Sequence, residues 1–93
     1  MPRPSLSQLS ESLAQASSQV MVGHLYSHYK HPTNPYTVVG LAFLEATDEI
    51  AVLYSPRSEP SVTFVRPLTS WLESVNVDGT EVPRFSPFPG PTD

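Results

Sequence analysis

Tyr36-Thr37-Val38-Val39-Gly40-Leu41-Ala42-Phe43-Leu44-Glu45 is a nearly continuous apolar run, and the fold turns on how it is read. Its β-branched and aromatic residues predict a strand over 36–45. Strict alternation places Val38, Ala42 and Leu44 on one face and Val39, Leu41 and Phe43 on the other. Both faces are then apolar, and each needs a cover. Gly40 in the middle marks a bend or a close backbone approach, as where a small sheet curls. Upstream, Leu6, Leu9, Leu13, Ala16 and Val20 recur at steps of 3 and 4, one apolar stripe along a helix over 5–22. Ser5-x-x-Gln8 fits a capping box, and Gly23 stands where helices commonly end. The stripe can cover the sheet within one chain, leaving a monomer, or meet its own copy in a weak homodimer.

Downstream the chain reads as short β segments separated by turn signals. Strands are predicted near 24–30, 50–54, 62–66, 74–77 and 81–85, in addition to 36–45. Pro32-Thr33-Asn34-Pro35 separates the first two, because proline lacks an amide donor and restricts the residue before it. Ala46–Glu49 is a polar turn, Ser55–Pro60 an exposed loop, and Asp78-Gly79 the signature of a tight hairpin. Pro67–Leu72 reads as one helical turn, with Trp71 as the plug at one barrel mouth. Six short strands with brief turns imply a barrel or a small sandwich. Prolines at 87, 89 and 91 make residues 86–93 an extended or disordered tail.

Ninety-three residues allow one small domain with a thin core. Five Lys and Arg against nine Asp and Glu give a net charge of −4, which argues against a general nucleic-acid or anionic-membrane surface. With no Cys, disulfides, thiolate metal sites and thiol nucleophiles are excluded together. No run is long enough to span a membrane, and no apolar region follows Met1-Pro2-Arg3-Pro4, so a soluble cytoplasmic protein is expected.

Several motifs resemble one small bacterial family. Tyr26-Ser27-His28-Tyr29-Lys30, Tyr36–Ala42 and Glu45-Ala46-Thr47 carry the first half of the likeness. Val52-Leu53-Tyr54, Val65-Arg66-Pro67-Leu68, Val75–Gly79 and Val82-Pro83-Arg84-Phe85 carry the second, in order, so that it runs from about Tyr26 to Phe85. The chain is similar in these to the uncharacterised family known as domain of unknown function 1653. The resemblance implies a compact SH3-like antiparallel β-barrel and no activity; the barrel is expected over 24–85, with the helix of residues 1–23, outside the matched region, as an appendage packed on it. Two departures stand out. His31 follows the His-Tyr-Lys motif where the family has Gly, with Pro32–Pro35 lengthening the loop, and Phe43 stands where His or Lys is common.

His24 and His28 fall on one strand face ~13 Å apart and His31 on the other, so no metal site is expected, nor any cofactor. A polar and aromatic face formed by Tyr26, His28 and Lys30, with Tyr36, Tyr54 and Arg66 at nearby strand ends, is the candidate ligand groove. There the cations would meet an anion and the tyrosines a planar or aliphatic group. Glu45 is a candidate ion-pair partner for Arg66 or Lys30. The competing structural reading has Arg66 bonded to backbone carbonyls at a strand corner. Nucleophile elbows, phosphate loops and paired carboxylates are all missing, so no catalytic residue is assigned. The expected function is therefore a non-enzymatic binding or accessory module with a small-molecule, peptide or protein partner. The alternatives are a small acid–base enzyme using His28 with Glu45, and single-stranded nucleic-acid binding through stacked tyrosines, which the net charge disfavours.

Overall fold

The computed structural model describes residues 4–88. The capping box forms as expected: the Gln8 amide donates to the Ser5 hydroxyl (3.2 Å) and the Ser5 amide to the Gln8 side chain (2.8 Å). The helix it opens, α1 (Leu6–Ser17), stops well short of residue 22. Ser17 and Ser18 donate their hydroxyls to the carbonyls of Ala14 and Gln15, a local competition that ends helices. Gly23, at φ +88°, instead turns the chain into the sheet, where its amide bonds the Val38 carbonyl at 2.7 Å. Only the C-terminal part of the apolar stripe is core: Ala16 and Val20 are buried, whereas Leu6 is 85% exposed.

The remaining elements are β1 (Leu25–His28), β2 (His31–Leu44), β3 (Glu49–Pro56), β4 (Phe64–Pro67), α2 (Leu68–Trp71), β5 (Ser74–Val77), β6 (Thr80–Pro83) and β7 (Phe85–Pro87). Five strands form one antiparallel sheet in the order β4-β3-β2-β1-β7, and β5 and β6 pair only with each other. The protein is thus mostly β with one N-terminal helix, and the closed SH3-like barrel expected above does not form among the described residues. Closure would require β4 and β7, the two edges, to bond each other. The sheet curls far enough to bring Arg66 of β4 within 5.4 Å of the Phe85 ring of β7, but the chain between these strands is taken up by α2 and the self-paired ribbon.

Three local expectations change. Pro32–Pro35 does not separate two strands; it is an irregularity inside β2. The register steps from Tyr26↔Tyr36 to His28↔His31, two residues on β1 against five on β2. Second, the register between Val38↔Tyr54 and Gly40↔Leu53 contains a one-residue bulge at Val39, which is half exposed. That residue shifts the phase of the strand, so Val38 shares a face with Leu41 and Phe43, and Ala42 and Leu44 lie opposite. Gly40 accompanies a bend and no close approach, since a side chain there would meet nothing within 4 Å. Third, the run at 81–85 breaks at Arg84. Its second half becomes β7, and Phe88 donates its amide to the Leu25 carbonyl, so the first residues of the Pro-rich tail belong to the sheet. The rest of the tail, residues 89–93, lies outside the described residues.

Asp78 and Gly79 both take positive φ, 52° and 85°, the conformation a tight β5–β6 hairpin needs. On the concave side of the sheet, Val20, Tyr26, Val38, Val52, Tyr54, Trp71 and Phe85 form the core. Pro67 opens the single turn of α2, which drops Trp71 onto Phe85 with ring centroids 3.8 Å apart and planes 4° from parallel. The edges of Tyr26 and Tyr54 meet the same indole at 5.5 and 5.0 Å. Replacing Trp71 with Ala removes the centre of this cluster, and urea unfolding is expected to show a loss of ~3–5 kcal/mol or no folded state at all. An unchanged unfolding midpoint would remove Trp71 from that role.

Candidate functional site

The curl of the sheet leaves a gap where β4 faces β1 and β7, and a hollow of about 300 Å³ opens there. His28, His31 and Arg66 supply its polar lining, and Tyr36, Tyr54, Phe64 and Phe85 its aromatic walls. A larger hollow, about 420 Å³, lies at the seam between α1 and Phe43 and Ile50, but among the described residues Glu11 and Asp48 line it and no cation does. The smaller hollow has the opposite character, with no carboxylate of the described residues in its lining.

Four of the six residues predicted for a groove meet here: His28, Tyr36, Tyr54 and Arg66. Two do not. Tyr26 points into the core, where its hydroxyl accepts the Met21 amide at 3.0 Å. Lys30 sits in the β1–β2 turn with its ammonium 5.9 Å from the Tyr29 ring. Glu45 follows the last residue of β2, whereas His28 pairs with the first, so a strand of 14 residues separates the proposed acid–base pair. At ~3.3 Å per residue that is tens of ångströms. Nor does Glu45 pair with Arg66, whose bonds go elsewhere.

Three lining residues escape the sequence reading: His31, Phe64 and Phe85. For His31 the reason is the two-residue Tyr29-Lys30 turn. It reverses the chain, makes His31 the cross-strand partner of His28 and brings the two imidazoles to 6.1 Å, so that His31 does not fall on an opposite face. Reading 24–30 as a strand ending in a turn at 29–30 would have found it. Phe85 gives no such signal, since only the sheet pairing His28↔Phe85 places its ring 5.0 Å from the His28 imidazole. Phe64 precedes Arg66 by two on β4 and meets Tyr54 at 5.7 Å.

Arg66 is held by side-chain hydroxyls, not by backbone carbonyls. Its Nη1 donates to Ser70 at 2.9 Å and its Nε to the Tyr54 phenol at 3.4 Å. The Nη2 hydrogens have no partner among the described residues. Arg84 lies nearby, donating Nε to the Ser70 carbonyl (3.1 Å) and pairing with Glu73 at 3.3 Å. His28 Nδ1 accepts the Lys30 amide at 3.1 Å, which leaves Nε2 to carry the proton of the neutral ring. Burial lowers the His28 pKa below its ordinary 6.5, and the positive charges of Arg66, His31, Arg84 and Lys30 act in the same direction. Three of the four Lys and Arg residues described therefore converge on one imidazole in a chain of net charge −4. Among the described residues no cluster of His, Asp or Glu is arranged to hold a metal, and no helix is long and apolar enough to cross a membrane.

A family model, described as a protein of unknown function (DUF1653), matches residues 24–87, most of the chain. The chain belongs to the DUF1653 family. The crystal structure of a DUF1653 protein from Bordetella bronchiseptica shares 30% identity, covers 81% of this chain and 96% of its own, and superposes with a TM-score of 0.61. No curated protein matches. Within the family frame, the motif residues noted above converge: His28 of His-Tyr-Lys, Arg66 of Val-Arg-Pro and Phe85 of Val-Pro-Arg-Phe all line the hollow. Of the two departures, His31 lines it too, whereas Phe43 lies at the α1 seam.

The His28 environment has a consequence for stability. Its folded pKa lies below the unfolded value, so the unfolded chain takes up the proton first as pH falls. Stability is therefore expected to decline from about pH 6.5 downward. Melting temperatures between pH 8 and 5 check this: His28→Gln should flatten the decline, and an identical slope in the variant would assign it to other groups.

Proposed function

We propose that this DUF1653 protein is a non-enzymatic binding module whose groove takes a small planar anion. The observation that carries the reading is the lining itself: a guanidinium and two imidazoles beside four aromatic rings, with no carboxylate among them. An uncompensated cationic hollow in an acidic protein focuses potential where an anion would sit. The unpartnered Nη2 hydrogens of Arg66 are the donors such a group would take, and the His28 Nε2–H remains a donor while the ring is neutral. The half-buried ring of Tyr36 and the exposed ring of Phe64 offer apolar surface to a planar body. A volume of about 300 Å³ is at the small end of ligand sites, suited to one ring bearing an anionic group. Acid–base catalysis by His28 with Glu45 loses its second member to the fold, and nothing in the hollow replaces it.

Amide chemical-shift titration with benzoate, phenyl phosphate and inorganic phosphate tests the proposal. Saturable shifts are expected around His28, His31, Arg66 and Phe85, with the two aromatic anions binding more tightly than phosphate. Arg66→Lys, which keeps the charge but loses the planar fork, should weaken them about tenfold while melting like the wild type. Absence of saturable shifts at millimolar concentration, or full affinity in Arg66→Lys, would count decisively against the groove.

A further inference from the structure

The hollow does not end at Tyr36. It shares His31 and Tyr36 with a second hollow of about 330 Å³, which adds Asn34, Pro35, Pro56 and Ser58. That one in turn shares Asn34, Pro35 and Ser58 with a third, about 310 Å³, bounded by Thr33 and Arg57. The three adjoin in series as one cleft that runs along two neighbouring stretches of chain, its walls. One wall is the irregular stretch of β2, residues 32–35, which has no partner on β1. The other is the end of β3 and the turn after it. The Arg57 amide donates to the Pro35 carbonyl at 3.0 Å and fixes the two walls against each other.

Along this cleft the chemistry changes. The first hollow is aromatic, while the outer two carry Asn34, Thr33, Ser58 and Arg57, again with no carboxylate lining. The Arg57 side chain makes no hydrogen bond or ion pair among the described residues and is exposed. Arg66 pairs with Val52, and Arg57 follows Val52 by five residues, just past the end of β3, so the two backbones are ~17 Å apart at ~3.3 Å per residue.

We infer that the cleft binds an elongate dianion, with a planar ring and first anionic group at Arg66 and a second anionic group read by Arg57. The inference rests on the groove reading above and adds the length and second charge of the ligand. A carboxylate or a phosphate would satisfy either guanidinium, and the two sources share this chemistry.

The probes are biphenyl-4,4′-dicarboxylate and biphenyl-4-carboxylate, which share one ring body and differ in the far charge, together with the corresponding phosphonates. Calorimetric titration of the full chain is expected to show each dianion binding about tenfold more tightly than its monoanion, the contribution of one further charge-assisted contact. Arg57→Ala should reduce the dianion to the affinity of the monoanion, and Arg57→Glu should make the dianion the weaker ligand. An advantage seen only for the phosphonates would identify phosphate as the source; one seen only for the carboxylates would identify carboxylate. Equal affinity for mono- and dianion, or an advantage that survives Arg57→Ala, overturns the second subsite while leaving the groove intact. Failure of every probe to bind, with Arg66→Lys indistinguishable from wild type, overturns the groove and this inference with it.

Discussion

The stack of Phe85 on Trp71 is the contact on which the rest of the structure depends. Neither ring sits on an element that is stable alone: Trp71 ends a four-residue helix, and Phe85 begins a three-residue edge strand. Trp71 hangs from β4 and Phe85 from the far edge of the same sheet. Their contact therefore ties together two ends of a five-stranded order that share no hydrogen bonds. The sheet is held curled by side chains, where a barrel would be closed by backbone. Arg84, one residue before Phe85, reinforces the tie by bonding the Ser70 carbonyl and Glu73 on the Trp71 side.

The groove follows from that incomplete closure. A sixth bonded strand across the gap would bury the space in which Arg66, His28 and Phe85 now meet. Because side chains bridge the edges and no strand does, a hollow remains at the seam, and the core ring Phe85 becomes its wall. The site thus shares its floor with the core, so its residues are positioned by packing as well as by loop geometry. This also explains why the structural and functional readings of Arg66 are compatible. Its Nη1 and Nε bind Ser70 and Tyr54, which orients the guanidinium and leaves Nη2 without a partner among the described residues.

Sequence reasoning reached what local chemistry controls. The capping box at Ser5, the Asp78-Gly79 turn, the helical turn after Pro67 and the buried Trp71 depend on neighbours a few residues away, and they were legible. What it misjudged depends on register. The face assignment of 36–45 failed because a single bulged residue, Val39, inverts the phase of everything after it, and no residue type encodes that insertion uniquely. The same limit hid His31, whose approach to His28 comes from cross-strand pairing. Closure of the sheet was out of reach for a further reason: it depends on whether β4 meets β7, a contact between residues far apart in the chain. Four of the residues expected at a groove line one hollow because strand alternation and turn position place them, and Phe85 was missed because its place there is set by tertiary pairing alone.

Charge distribution gives the site a character that overall composition conceals. A net charge of −4 argued against a general nucleic-acid or anionic-membrane surface. Yet Lys30, Arg66 and Arg84 all act on His28, so the few cations are concentrated at one seam while the carboxylates of Glu11 and Asp48 border the opposite end of the sheet. An acidic exterior repels anions at long range, but within a screening length of ~8–10 Å the local set dominates. On the proposed reading, such an arrangement suits small anions that fit inside the seam better than polyanions, whose many charges sample the whole surface. The bulge at 32–35 belongs to the same logic. Two prolines remove two amide donors from a stretch that lacks a β1 partner, so the β2 wall can stand open beside the cleft with fewer unsatisfied groups.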